Sequence, residues 1–92
     1  MSLMAKDPQA RIDHAMDWSG DLGGQSVVAS EWHVSPAEPG ALLIEAAGFE
    51  PGRTRVRVSG GVVGQVYRLT NRVTLSDGQV EERSVTVRVE ER

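Results

Sequence analysis

Ninety-two residues carrying a formal net charge of −3, with 39% apolar and 25% charged side chains, suit one domain and leave no room for a second core. The chain has no cysteine, which excludes a disulfide framework, a thiolate zinc site and a thiol nucleophile, and fits folding in a reducing compartment. The small negative charge gives no long-range pull toward nucleic acid or anionic lipid, and no apolar run approaches the ~20 residues of a membrane-crossing helix.

The start Met1-Ser2-Leu3-Met4 lacks the apolar core of a signal peptide. Residues 1–5 read as a short, disordered added leader around a native start at Met4, and the domain is expected over residues 6–92. Period-two alternation then dominates, and no window sustains helical spacing over three turns. The first strand is expected near residues 11–18, with Ile12, His14, Met16 and Trp18 on one face and Asp13, Ala15 and Asp17 on the other. Gly20, Asp21, Gly23 and Gly24 form a loop. The second strand, near 26–34, places Val28, Trp32 and Val34 on one side. It ends at Pro36, Pro39 and Gly40, because proline cannot donate to a ladder. A short third strand is expected over 42–46, followed by a turn at Phe49-Glu50-Pro51-Gly52.

The late strands are the clearest. In 53–59, Arg53, Arg55 and Arg57 alternate with Thr54, Val56 and Val58. In 65–75, Tyr67, Leu69, Val73 and Leu75 face in while Arg68, Thr70 and Arg72 face out. In 80–90, Val85, Val87 and Val89 face in while Ser84, Thr86 and Arg88 face out. This pattern belongs to half-buried antiparallel strands. Inward residues are odd-numbered in both late strands, so opposed pairs must have an even sum. A two-residue turn at Asp77-Gly78 would turn one strand inside out. A three-residue loop of Ser76, Asp77 and Gly78 pairs Leu69 with Val85 and gives glycine the left-handed position.

Short strands with glycine- and proline-rich turns indicate a sandwich or a small barrel. Tyr67 favours an immunoglobulin-like antiparallel β-sandwich of six or seven strands. It follows the turn Gly60-Gly61-Val62-Val63-Gly64 and precedes Leu69 by two residues, the setting in which such domains fold a tyrosine back onto the corner. The other reading is an ordinary core ring. With a corner, 53–59 lies in the opposite sheet from 65–75. The expected core is Trp18, Val28, Trp32, Leu43 or Ile44, Val56, Val58, Tyr67, Leu69, Val85 and Val87.

Candidate chemistry is sparse. His14 alternates with apolar residues and reads as half-buried, His33 as exposed, and no close histidine pair suits zinc. A strand holds Asp13 and Asp17 ~13 Å apart, too far for one ion, so these and Asp21 read as solvated rather than as calcium ligands. Asp17 is expected to cap its own turn. No nucleophile elbow is present. Gly60-Gly61-x-x-Gly64 lacks a lysine and precedes a strand, which fails the context of a phosphate loop. Arg53, Arg55 and Arg57 form one stripe, and Arg68, Arg72 and Arg88 another. With the aromatics committed to core or turns, these are solvated faces or the rim of a protein contact rather than a base-stacking sheet. No enzyme, cofactor or metal is expected.

The run Lys6-Asp7-Pro8, Asp17-Trp18-Ser19, Ser30-x-Trp32-x-Val34, Val58-Ser59-Gly60-Gly61-x-x-Gly64-x-x-Tyr67-x-Leu69-Thr70-Asn71-x-Val73-Thr74, Asp77-Gly78 and Glu82-Arg83-Ser84 resembles the phage fiber–tail adaptor family. The sequence departs from that pattern at His14, where an aromatic is expected, and at Gly20 to Leu22, where a tryptophan–leucine step is expected. The resemblance implies a virion protein, made in the host bacterial cytoplasm, that joins tail or fiber components by protein–protein contact, with no catalytic residues. The partners it implies are tail, fiber or head–tail proteins, with self-association in a ring and neither nucleic acid nor membrane. Contacts are expected on loops 19–25 and 35–40 or on an unpaired sheet edge. The alternative is a bacterial immunoglobulin-like surface or carbohydrate-binding module, which requires exposed aromatics.

Overall fold

The computed structural model describes residues 2–91. Alternating β-branched residues broken by glycine and proline give seven strands: β1 (Ser2–Lys6), β2 (Ile12–Asp17), β3 (Val27–Ser35), β4 (Leu42–Glu50), β5 (Arg53–Gly60), β6 (Val66–Leu75) and β7 (Val80–Val89). A 3-10 turn covers Ser19–Asp21. A four-stranded sheet, β1-β7-β6-β3, packs on a three-stranded one, β2-β5-β4. With the strands lettered A to G in chain order, C-F-G faces B-E-D, the immunoglobulin arrangement. The first strand joins G in parallel, Ser2 opposite Val85 through Lys6 opposite Val89, so this pairing is the exception in an otherwise antiparallel sandwich.

That first strand corrects the expectation of a disordered leader. Residues 2–5, read from sequence as part of that leader, belong to the four-stranded sheet; Met1 lies outside the described residues. Lys6 anchors the strand: it is 1% exposed, and its Nζ donates to the carbonyls of Asp7 (2.8 Å) and Gly60 (2.7 Å). The Glu90 amide donates to the Lys6 carbonyl at 2.9 Å. Met4 packs against the core.

The late strands follow their alternation. Leu69 pairs with Val85 and Thr74 with Val80. The Leu75 amide donates to the Gln79 carbonyl (2.8 Å) and the Gly78 amide to the Leu75 carbonyl (2.9 Å), which closes a loop of Ser76, Asp77 and Gly78 with Gly78 at φ +92°. Val56, Val58, Tyr67, Leu69, Val73, Val85, Val87 and Val89 form the centre of the core, with Met16, Trp18 and Trp32 around them.

Val28, Leu43 and Ile44, placed in or near the core by the alternation, are exposed, for two different reasons: a bulge in β3 and the marginal position of β4. A bulge between Val27 and Ala29 shifts the parity of β3, burying Val27 and leaving Val28 52% exposed. In β4, Leu42 is buried, while Leu43 and Ile44 are exposed; a second bulge lies between Ile44 and Ala46. β4 also continues to Glu50, so the expected four-residue turn shrinks to Pro51-Gly52 and Phe49 sits in the strand opposite Thr54.

A buried polar network ties the two sheets together. The Trp18 Nε1–H donates to Asn71 Oδ1 (3.0 Å) and Thr54 Oγ1 (3.2 Å), and the Thr54 hydroxyl donates to Asn71 Oδ1 (2.6 Å). Asn71 Nδ2 donates to Ser30 Oγ (2.9 Å) and to the Glu31 carbonyl (3.0 Å), so both ends of its amide are engaged. Thr54 belongs to the three-stranded sheet; Asn71 and Ser30 belong to the four-stranded one. The Arg83 guanidinium closes the outside, 4.2 Å from the Trp18 ring centroid, with Nη1 donating to the Asp17 carbonyl at 2.9 Å.

Two predictions follow from this interior. Asn71→Leu removes the acceptor shared by Trp18 and Thr54, strands the Thr54 hydroxyl in an apolar core and is expected to cost about 3 kcal/mol in urea unfolding, whereas the exposed Arg72→Leu should change stability by less than about 0.5 kcal/mol. Equal losses would contradict the network. His14 is half-buried beside Val56, and burial holds its imidazole below the ordinary histidine range. The unfolded chain therefore binds that proton first as pH falls from about 7, and stability should drop between about pH 7 and pH 5. His14→Gln should flatten that part of the profile, leaving the loss at lower pH that comes from the carboxylates.

Candidate functional site: sheet edges and loop ends

The glycine-rich corner and its tyrosine fix one end of the sandwich. Tyr67 is buried near the start of β6; the Val62 amide donates to its Oη (3.0 Å), and the hydroxyl donates to Glu38 Oε1 (3.2 Å). Gly60, Gly61 and Gly64 have φ of +72°, +101° and +87°. At Gly61 a Cβ would meet Val89 Cγ2 at 2.6 Å, so only glycine fits the crossing from β5 to β6. Leu69 is fully buried two residues on. At the opposite end, Asp77 Oδ1 accepts from the Gln79 amide (3.0 Å) and shapes the loop completed by Gly78. Trp32 lies on β3 opposite Asn71, its ring buried and its Nε1 without a hydrogen-bond partner among the described residues. Trp18, in the network above, completes the set. Trp18, Trp32, Tyr67 and Leu69 are buried, whereas Gly64, Asp77 and Gly78 are exposed and shape turns at the two ends of the sandwich.

The ionisable groups do not converge. Among the described residues no three of His, Asp or Glu are grouped as a metal would need. Asp13 is held by Arg57 at 2.8 and 3.3 Å, and that hydrogen bond is the chief reason its carboxyl lies below the usual range. Asp17 Oδ1 accepts from the Ser19 hydroxyl (2.6 Å) and amide (2.9 Å), which lowers its pKa and caps the turn as the sequence pattern implies. The Asp21 side chain lies outside what the structure describes. His33 is exposed, 3.8 Å from Glu31.

Arg53, Arg55 and Arg57 line the outer face of the three-stranded sheet. Ala15, Ala46 and Gly48 flank them, leaving an open groove of about 590 Å³. Acids sit among the arginines: Arg57 with Asp13, Arg55 with Glu50 at 3.8 Å, and Arg11 with Glu45 at 2.7 Å. The Ser59 hydroxyl first, and then Arg11, hold Glu45 below the ordinary carboxylate range. Two arginines of the stripe, Arg55 and Arg57, thus have a carboxylate within 4 Å. On the other outer face, Arg72 lies 3.9 Å from Glu82, and Arg68 and Arg88 are exposed.

The sheet margins differ among themselves. β2 presents Asp13 and Asp17, and β1 is only five residues long. β4 runs for nine residues and, among the described residues, pairs with β5 on one side and with no strand on the other. Leu43 (60% exposed), Ile44 (37%) and Phe49 (42%) stand along it, with Ala46 and Ala47 also exposed. Sequence reasoning missed this margin because it ended the strand early and placed Leu43 or Ile44 in the core. Of the two loops singled out, 35–40 is exposed throughout. Loop 19–25 is partly internal: Leu22 is buried, the Gln25 amide donates to its carbonyl (2.9 Å), and Ser76 Oγ donates to Gln25 Oε1 (2.7 Å).

Set beside known proteins, the chain matches no curated relative. A family model described as podophage GP4 fiber-tail adaptor protein gp77 matches residues 6–88, from the buried Lys6 almost to the end of β7. With that match spanning nearly the whole sandwich, the chain belongs to the podophage GP4 fiber-tail adaptor family.

Proposed function

We propose that the protein is a passive structural connector of a podophage tail, joining fiber and tail components through protein–protein contacts in the virion. The observation that carries this reading is the family match over residues 6–88, which takes in six of the seven strands whole or nearly so. The architecture supports it. The two sheets are tied by the Trp18–Thr54–Asn71 network, and the features left for recognition are margins and loops, which suit rigid docking rather than chemistry. Its partners are other tail, fiber or head–tail proteins, and several copies arranged about the tail axis would form a ring. Neither nucleic acid nor membrane is among the proposed partners, and no cofactor is needed. The carbohydrate-binding alternative requires an aromatic platform, whereas three of the four aromatic rings are buried and Phe49 stands alone on a strand margin.

Mass spectrometry of purified particles should find the protein with the tail, and particles made without its gene should carry tails that lack fibers. Normal fiber attachment in those particles, with the protein absent from wild-type virions, would overturn the reading.

A further inference from the structure

We infer that the free margin of β4 is a strand acceptor whose occupant is an extended partner segment alternating apolar and basic residues; the inference rests on the connector reading above. Sheet margins are normally blunted by lysine, proline, inward charge, bulges or shortness. β4 contains neither lysine nor proline and is nine residues long. Its bulge breaks the ladder near Glu45, but pairing with β5 is continuous from Ala46 opposite Arg57 to Glu50 opposite Arg53. Ile44, Ala47 and Phe49 oppose the buried Val58, Val56 and Thr54, so they share the core-facing side of the sheet yet stay exposed. An added strand would extend that apolar row while its backbone satisfies the open margin.

Charge selects the occupant. Residues 27–50 contain Glu31, Glu38, Glu45 and Glu50 and no lysine or arginine. Glu45 and Glu50 bracket the continuous run; the arginines they meet, Arg11 and Arg55, lie on the side toward β2 and β5. Such surface pairs are weak and leave the carboxylates available to a second cation. A second copy is a poorer match. Pairing β4 with β4 brings like glutamates together, and the β2 margin of another copy brings Asp13 and Asp17.

The test uses the full chain and two synthetic peptides, one alternating lysine and valine, the other glutamate and valine, followed by amide NMR. The lysine peptide should shift the amides of residues 43–50 and slow their hydrogen exchange, and the glutamate peptide should not. Glu50→Gln and Phe49→Ser, both at exposed positions, should each weaken lysine-peptide binding by about tenfold. Equal response to both peptides, shifts centred elsewhere, no shift at all, or concentration-dependent self-pairing through β4 would overturn the inference. If the peptide fails while the protein remains in purified tails, the strand acceptor is lost and the connector reading stands; the opposite pair of results removes the connector reading alone.

Discussion

Everything else in this sandwich depends on one amide. Asn71 stands where a sequence pattern would place an apolar residue, between Leu69 and Val73 on the inner face of β6. Its carboxamide accepts from Trp18 and Thr54 and donates toward β3. Apolar packing alone tolerates sliding of one sheet over the other, because valines exchange for valines at similar energy. A set of buried polar groups does not, since any displacement leaves donors without acceptors in a medium where that is costly. The network therefore fixes which residue of the three-stranded sheet lies over which residue of the four-stranded one, and with it the positions of all the margins.

That interior rigidity makes sense of the exterior. On the two arginine-bearing faces, Arg55, Arg57 and Arg72 each stand within 4 Å of a carboxylate. The asymmetry lies at the side where β3 and β4 run beside each other, rich in exposed apolar residues and free of lysine and arginine. In the proposed connector role a stiff body with distinct flanks is an advantage, because flexibility inside it would be transmitted to whatever it joins.

Legibility in the sequence followed local regularity. The last hairpin was readable to the residue because β6 and β7 alternate without interruption and the loop chemistry selects one register. The corner at Tyr67 was readable because glycine spacing and a tyrosine have a specific meaning together. At Val28 one extra residue enters the strand and reverses inward and outward, and no side-chain type announces it, while Ile44 points to the core side of a strand whose marginal position alternation does not reveal. β1 is too short to show periodicity, and its parallel partner lies some eighty positions away. Asn71 was overlooked for the opposite reason, since a polar residue on an inner face is legible only once its partners are in place.

The anchoring of β1 has a practical side. Lys6 is the chain's one lysine, and its ammonium is enclosed, bonded to two carbonyls, with burial drawing its pKa down. Amine-directed reagents consequently have no surface lysine to modify, and any acylation of Lys6 must await detachment of the first strand. The rate of that modification is a built-in clock for how often the sheet lets its outermost ribbon go.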